Sequence, residues 1–212
     1  MASNMRSAVF LCLAPLVAGC AGTPAYDFRR EPDPRGREYV LGVGDSVRIS
    51  VWKNAELSTE ATIRPDGNVT MPLVGELVAA GKTPTDFKTL VQKKLGEFIH
   101  DESAAVTVAV VAVHSYTFTV NGNVERPGMF TAVPFVTVND AVSLAGGPNR
   151  FASSTLWLIR KDAQGGVRRI PIDYDLVSSG RKPDANLVVL PGDSLHVDLG
   201  KCVAVSDPRW LA

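Results

Sequence analysis

Ile63-Arg64-Pro65-Asp66-Gly67-Asn68-Val69-Thr70-Met71-Pro72-Leu73-Val74-Gly75 is the stretch on which the fold of this 212-residue chain turns. Pro65 presets φ for a turn and Gly67 accepts a positive φ. Asp66 can accept a hydrogen bond from the backbone that follows it. Residues 61–63 and 69–71 are short β-compatible stretches on either side, so the reading is a hairpin.

The same grammar continues outward. Towards the amino end Val47, Ile49 and Val51 fall on one face of a strand, with Arg48 and Ser50 on the other. Towards the carboxyl end one helix interrupts the strands. Thr83 is its N-cap, Pro84 suits its first position, and Asp86 supports the cap. Phe87, Leu90, Val91, Leu95 and Phe98 then recur at helical spacing. Residues 104–113 form a β-branched run. Residues 39–114 therefore read as a strand-rich domain with one packed helix.

A second domain, 115–200, begins as Tyr116, Phe118 and Val120 alternate. Arg126-Pro127-Gly128 marks a turn. Thr137 caps a short helix with Val138, Ala141, Val142 and Ala145 on one side, and Gly146-Gly147 ends it. Residues 156–160 and 167–172 read as a hairpin, and 187–190 and 195–197 flank the turn Pro191-Gly192-Asp193. Strands around one short helix predict a compact unit of β-grasp type, making the chain α+β.

The amino end is a targeting segment by composition. An apolar run spans 8–18, too short to cross a membrane as a helix, which takes about 20 residues. It suits the core of a secretory signal peptide over 1–19. The run ends Leu16-Val17-Ala18-Gly19-Cys20, which resembles a lipobox, so Cys20 is expected to carry lipid. Ala21 in place of an inner-membrane retention signal favours the outer membrane, facing the periplasm. Residues 20–38, with prolines and many charges, read as lipid anchor and flexible linker with a reach of roughly 60 Å.

Of 22 basic residues the signal removes Arg6, leaving 21 against 22 acidic. Near-neutrality offers no bulk electrostatic argument for nucleic acid. The cysteines are too few for a disulfide framework. Cys202 is either a small half-buried residue or the site of an intermolecular disulfide. His100, His114 and His196 lack metal spacing, Gly42-x-Gly44 lacks the third glycine of a nucleotide loop, and neither a metal nor another cofactor is expected.

The sequence also holds one catalytic pattern. An early Gly44-Asp45-Ser46 and a late Asp193-x-x-His196 match the order used by GDSL-type esterases. However, Ser46 precedes a strand where a nucleophile should open a helix, and Gly192-Asp193-Ser194 repeats the motif before a second strand. A repeated Gly-Asp reads as turn chemistry, and the chain is expected not to be an enzyme. Arg160, Lys161, Arg168 and Arg169 gather on one predicted hairpin. They read as a solvated face protecting an edge strand, with contact to an acidic polymer or partner as the alternative.

Taken together, these motifs resemble a known family. Tyr39-Val40-Leu41-Gly42-Val43-Gly44-Asp45, the 63–75 stretch with Arg64, Pro65, Asp66 and Gly67, and Gly81-Lys82-Thr83-Pro84 are similar to a polysaccharide export domain. Val120-x-Gly122-x-Val124-x-Arg126-Pro127-Gly128, Ala145-Gly146-Gly147 and Leu190-Pro191-Gly192-Asp193 are similar to the β-grasp domain called SLBB. The chain thus resembles the outer-membrane polysaccharide export (OPX) lipoproteins. That resemblance implies a homo-oligomeric ring or adaptor that passes polysaccharide from an inner-membrane copolymerase. Longer members add a further β-grasp repeat and a carboxyl-terminal pore helix. The tail 201–212 is too short to span a membrane, so a separate outer-membrane barrel or pore protein is the expected partner. Trp210 and Leu211 are either a docking anchor for that partner or pack back on the domain. The alternatives to export are a carbohydrate-binding or sensing lipoprotein and the esterase.

Overall fold

The computed structural model describes residues 25–98, 105–162 and 165–200. The signal segment 1–19, Cys20, His100, Cys202 and the tail with Trp210 and Leu211 lie outside them.

The first domain is built on β1 (Ser46–Val51), which runs between β2 (Thr59–Thr62) and β5 (Val106–Ala112), all antiparallel. Strands β3 (Asn68–Met71) and β4 (Gly75–Val78) form a separate two-stranded sheet. The chain does turn at Arg64–Gly67, where the Gly67 amide donates to the Arg64 carbonyl at 2.8 Å and Gly67 has φ of 82°. The expected hairpin of 61–63 with 69–71 does not form. Strand β2 is claimed by β1, and β3 pairs with β4, and in this arrangement Ile63, Val69 and Met71 are all buried. Helix α1 (Pro84–Leu95) starts at Thr83, whose hydroxyl accepts from the Asp86 amide at 3.1 Å. It buries Phe87, Val91 and Leu95 against Val47, Ile49, Val51 and Val106, whereas Phe98, past its end, is exposed.

The second domain is a five-stranded sheet in the order β7-β6-β10-β8-β9: β6 (Thr117–Gly122), β7 (Gly128–Thr131), β8 (Ala152–Lys161), β9 (Val167–Asp173) and β10 (Ser194–Leu199). Strand β10 pairs parallel with β6 and antiparallel with β8, giving the parallel central pair that a β-grasp sheet requires. Helix α2 (Val138–Leu144) covers this sheet. Thr137 and Asp140 form a full capping box at its start. At its end the Gly147 amide donates to Val142 and the Gly146 amide to Ser143, both glycines having positive φ. This Schellman closure is why two glycines stand there. The short helix α3 (Tyr174–Ser178) has no counterpart in the sequence reading.

The expected linker behaves otherwise in its described part. Phe28 sits in a 3-10 turn and is buried in the core of the second domain, with Val177, Ala185 and Val189 in the same cluster. Residues 25–31 thus form a strap across that domain. The second domain is therefore discontinuous in sequence, and the first is inserted into it.

Candidate functional site

Two buried carboxylates organise the molecule, and they occupy equivalent places in the repeated Gly-Asp-Ser motif. Asp45 accepts from the Gly42 amide at 2.8 Å, three residues back, and Asp193 from the Leu190 amide at 2.7 Å, also three residues back. Each closes a turn before a strand.

Asp45 also joins the domains. It accepts from the Tyr39 hydroxyl at 2.5 Å, from the His114 and Ser115 amides at 2.9 Å each, and from the Ser115 hydroxyl at 2.9 Å. Burial pushes its carboxyl up, but this set of donors outweighs burial and holds it below the ordinary range. Burial, and then the bond to Asp45, pushes the Tyr39 phenol well up. A Cβ on Gly42 would collide with the Ser115 side chain, so Gly42 is required by close approach as well as by a turn.

Asp193 anchors the other hub. Arg160, 2% exposed, donates from Nε and Nη2 to its carboxylate at 2.7–3.1 Å, and from Nη2 to the Val188 carbonyl at 2.8 Å. Its Nη1 donates to Glu31 of the strap at 3.0 Å. Glu31 is buried too, and accepts from Arg168 at 2.9 Å and from the Tyr26 hydroxyl at 2.6 Å. Arg160 is thus no solvated residue, and the basic cluster is only partly an exposed face. Arg169 lies over the Trp157 ring at 4.8 Å, on the hairpin that does end at an edge strand, β9.

These contacts take the esterase pattern apart. Ser46 Oγ is 3.1 Å from Thr62 Oγ1, on β1 of the first domain. His196 lies on β10 of the second domain, with Nε2 3.6 Å from Asp198. Asp193, which would have to orient it, is engaged by Arg160. The three residues do not converge.

The remaining motif residues make local contacts at turns and element ends. Arg64 pairs with Glu76 and Asp66 at 2.6 and 2.8 Å, bracing the Pro65 turn. The Arg126 amide donates to Ala145 at 2.8 Å and Nη2 to Leu144 at 3.3 Å, tying the Pro127-Gly128 hairpin to the end of α2. Gly122 has φ of 86°, and a Cβ there would strike the Val197 carbonyl. Pro191-Gly192 forms the turn whose Asp193 amide donates to Leu190 at 3.0 Å.

Comparison with known proteins matches the two domains in order. Residues 33–110 match the polysaccharide biosynthesis/export protein family, and residues 117–173 match the SLBB domain. The chain belongs to the outer-membrane polysaccharide export family. Among relatives of this OPX protein, the exopolysaccharide production protein ExoF of Rhizobium meliloti is 33% identical over 55% of this chain and 30% of its own length. The polysialic acid transport protein KpsD of Escherichia coli is 24% identical over 68% of this chain and 25% of its own. The EPS I polysaccharide export outer membrane protein EpsA of Ralstonia solanacearum is 24% identical over 92% of this chain and 67% of its own. The OPX chain thus spans less than a third of the first two and about two-thirds of the third. None of its described helices is long and apolar enough to cross a membrane.

Proposed function

We propose that this OPX protein is a lipid-anchored, periplasm-facing component of a capsular or exopolysaccharide export machine. It assembles as a homo-oligomeric ring or adaptor between an inner-membrane copolymerase and an outer-membrane barrel or pore protein. The observation that carries this reading is the export domain followed by the SLBB domain in this chain, beside similarity to proteins named for polysaccharide production, transport and export. Strands β9 and β7 end the second sheet on either side, and neighbouring subunits in a closed ring would cover such edges.

The strap alters how the anchor works. Cys20 precedes the buried Phe28 by few residues, so a lipid on Cys20 holds the SLBB domain within roughly 30 Å of the membrane.

Deleting the gene and measuring surface polysaccharide tests the function. Loss of surface polymer, restored by the wild-type chain, is the expected result, and unchanged polymer overturns it. Cys20→Ser is expected to move the protein from the membrane to the soluble fraction without lowering its melting temperature. Native mass spectrometry of the detergent-extracted protein is expected to show a closed oligomer. A monomer that binds polymer would favour the sensing role.

A further inference from the structure

The outer face of the first domain's sheet has a chemistry that the fold does not use. Along β1 the outward residues are Ser46, Arg48, Ser50 and then Trp52, just past the strand end. Ser50 stands opposite Thr107 of β5. Ser46 meets Thr62, and Arg48 is paired with Glu60 at 2.8 Å across β2. The row is hydroxyls and one neutralised charge pair, and it ends on an indole.

Trp52 is 66% exposed, yet its backbone is held fast. Its amide donates to the Ala105 carbonyl at 2.9 Å, and its carbonyl accepts from Asn54 Nδ2 at 3.2 Å. The next residue, Lys53, takes a φ of 63°, a left-handed conformation that a lysine adopts at a cost. The indole therefore stands out on a rigid base. It borders a cavity of about 500 Å³ that is also lined by Ser50, Lys53, Glu56 and Thr107. The contrast within the chain is Trp157, whose indole donates to Asp198 at 2.7 Å and is covered by Arg169.

We infer that Trp52 and the Ser50–Thr107 row form a glycan-binding subsite, with the indole stacking on a sugar ring and the hydroxyls, Lys53 and Glu56 meeting its hydroxyl groups. The inference rests on polysaccharide being the cargo, as proposed above. A sugar ring pairs an apolar C–H face with a rim of hydroxyls. The negative face of an indole suits the former, and short donors and acceptors suit the latter. From Ser46 to Trp52 the row runs about 20 Å, room for several linked sugars. A second copy of this chain is the poorer occupant, because protein interfaces are depleted in glutamate and this face carries Glu60, paired with Arg48, at its middle.

The test titrates the purified full chain with size-fractionated oligosaccharides cut from the parent cell's surface polysaccharide, read by calorimetry. Trp52→Ala is expected to weaken binding about tenfold or more, and Trp52→Phe to keep most of it. Thr107→Arg, which crowds the groove from the next strand and leaves Trp52 in place, is expected to weaken binding as well. Leu73→Ala, at an exposed apolar residue elsewhere, is the control and should bind as wild type. Unchanged affinity in folded Trp52→Ala overturns the subsite, as does absence of binding by the wild-type chain. A variant that changes oligomeric state while keeping its glycan affinity also overturns it, and assigns the face to a second copy. None of these results alters the deletion phenotype, so a failed subsite and a failed export role are told apart.

Discussion

At Gly42 and Gly122 single atoms decide what the chain tolerates. A methyl group on Gly122 meets the Val197 carbonyl of the parallel neighbour, and φ there is positive. Gly122→Ala is expected to cost about 2–4 kcal/mol and to lower the melting temperature by roughly 10 °C, measured by calorimetry. Asp45 sets an acid limit. Its folded pKa lies below the unfolded value of about 4, so its contribution is complete above about pH 4 and is lost as pH falls through the folded value. Asp45→Asn should destabilise by about 1–3 kcal/mol at neutral pH. The gap between variant and wild type should close as pH drops below about 4, and urea melts across that range would show it. A constant gap would mean that Asp45 is held for its shape rather than its charge.

Among the elements, the strap over 25–31 carries the least expected energetics. It brings Phe28 into an apolar pocket and Glu31 onto a buried guanidinium. Arg160 carries one positive charge between two buried carboxylates, and the half-exposed Arg168 balances the second. Arg160→Ala would strand Glu31 and Asp193 without it, at an expected cost of about 3–5 kcal/mol. Glu31→Ala combined with Arg160→Ala should cost less than the two singles added, by about 1–3 kcal/mol in a double-mutant cycle of denaturant melts. Strict additivity would show that the strap is not docked in solution. The capping box of α2 is the ordinary counterpart: Thr137→Ala should cost about 1 kcal/mol by the same melts.

For the whole molecule, discontinuity is the consequence that matters. Residues 115–200 alone would expose the Phe28 site and leave Arg160 without Glu31. That fragment is expected to melt non-cooperatively, and a fragment that keeps 25–38 joined to 39–200 to melt cooperatively, followed by circular dichroism. Tyr39 and Asp45 add a second seam, since Asp45 binds the backbone amides of His114 and Ser115 on either side of the domain boundary. On the proposed lipidation of Cys20, the domain held at the membrane is the second, through the strap.

Turns, caps and strand faces were legible because each depends on a few adjacent residues. Thr83, Thr137, Gly146-Gly147 and the alternation of Val47, Ile49 and Val51 each carry their own local physics, and the structure places them as read. Partner choice was not legible. The turn at Pro65 is real, yet β2 and β3 join different sheets, because pairing is settled by which faces can be buried together. Composition marked 21–38 as linker since charge and proline are what solvated segments contain. Only the fold supplies Arg160 and Arg168 as partners for Glu31, 129 and 137 residues away along the chain. The repeated Gly-Asp-Ser could be read as turn or as catalyst from its letters. Tertiary structure gives Asp193 to Arg160 and puts Ser46 and His196 on separate sheets. Local conformation follows from neighbours in sequence, whereas the partner of a buried charge follows from neighbours in space.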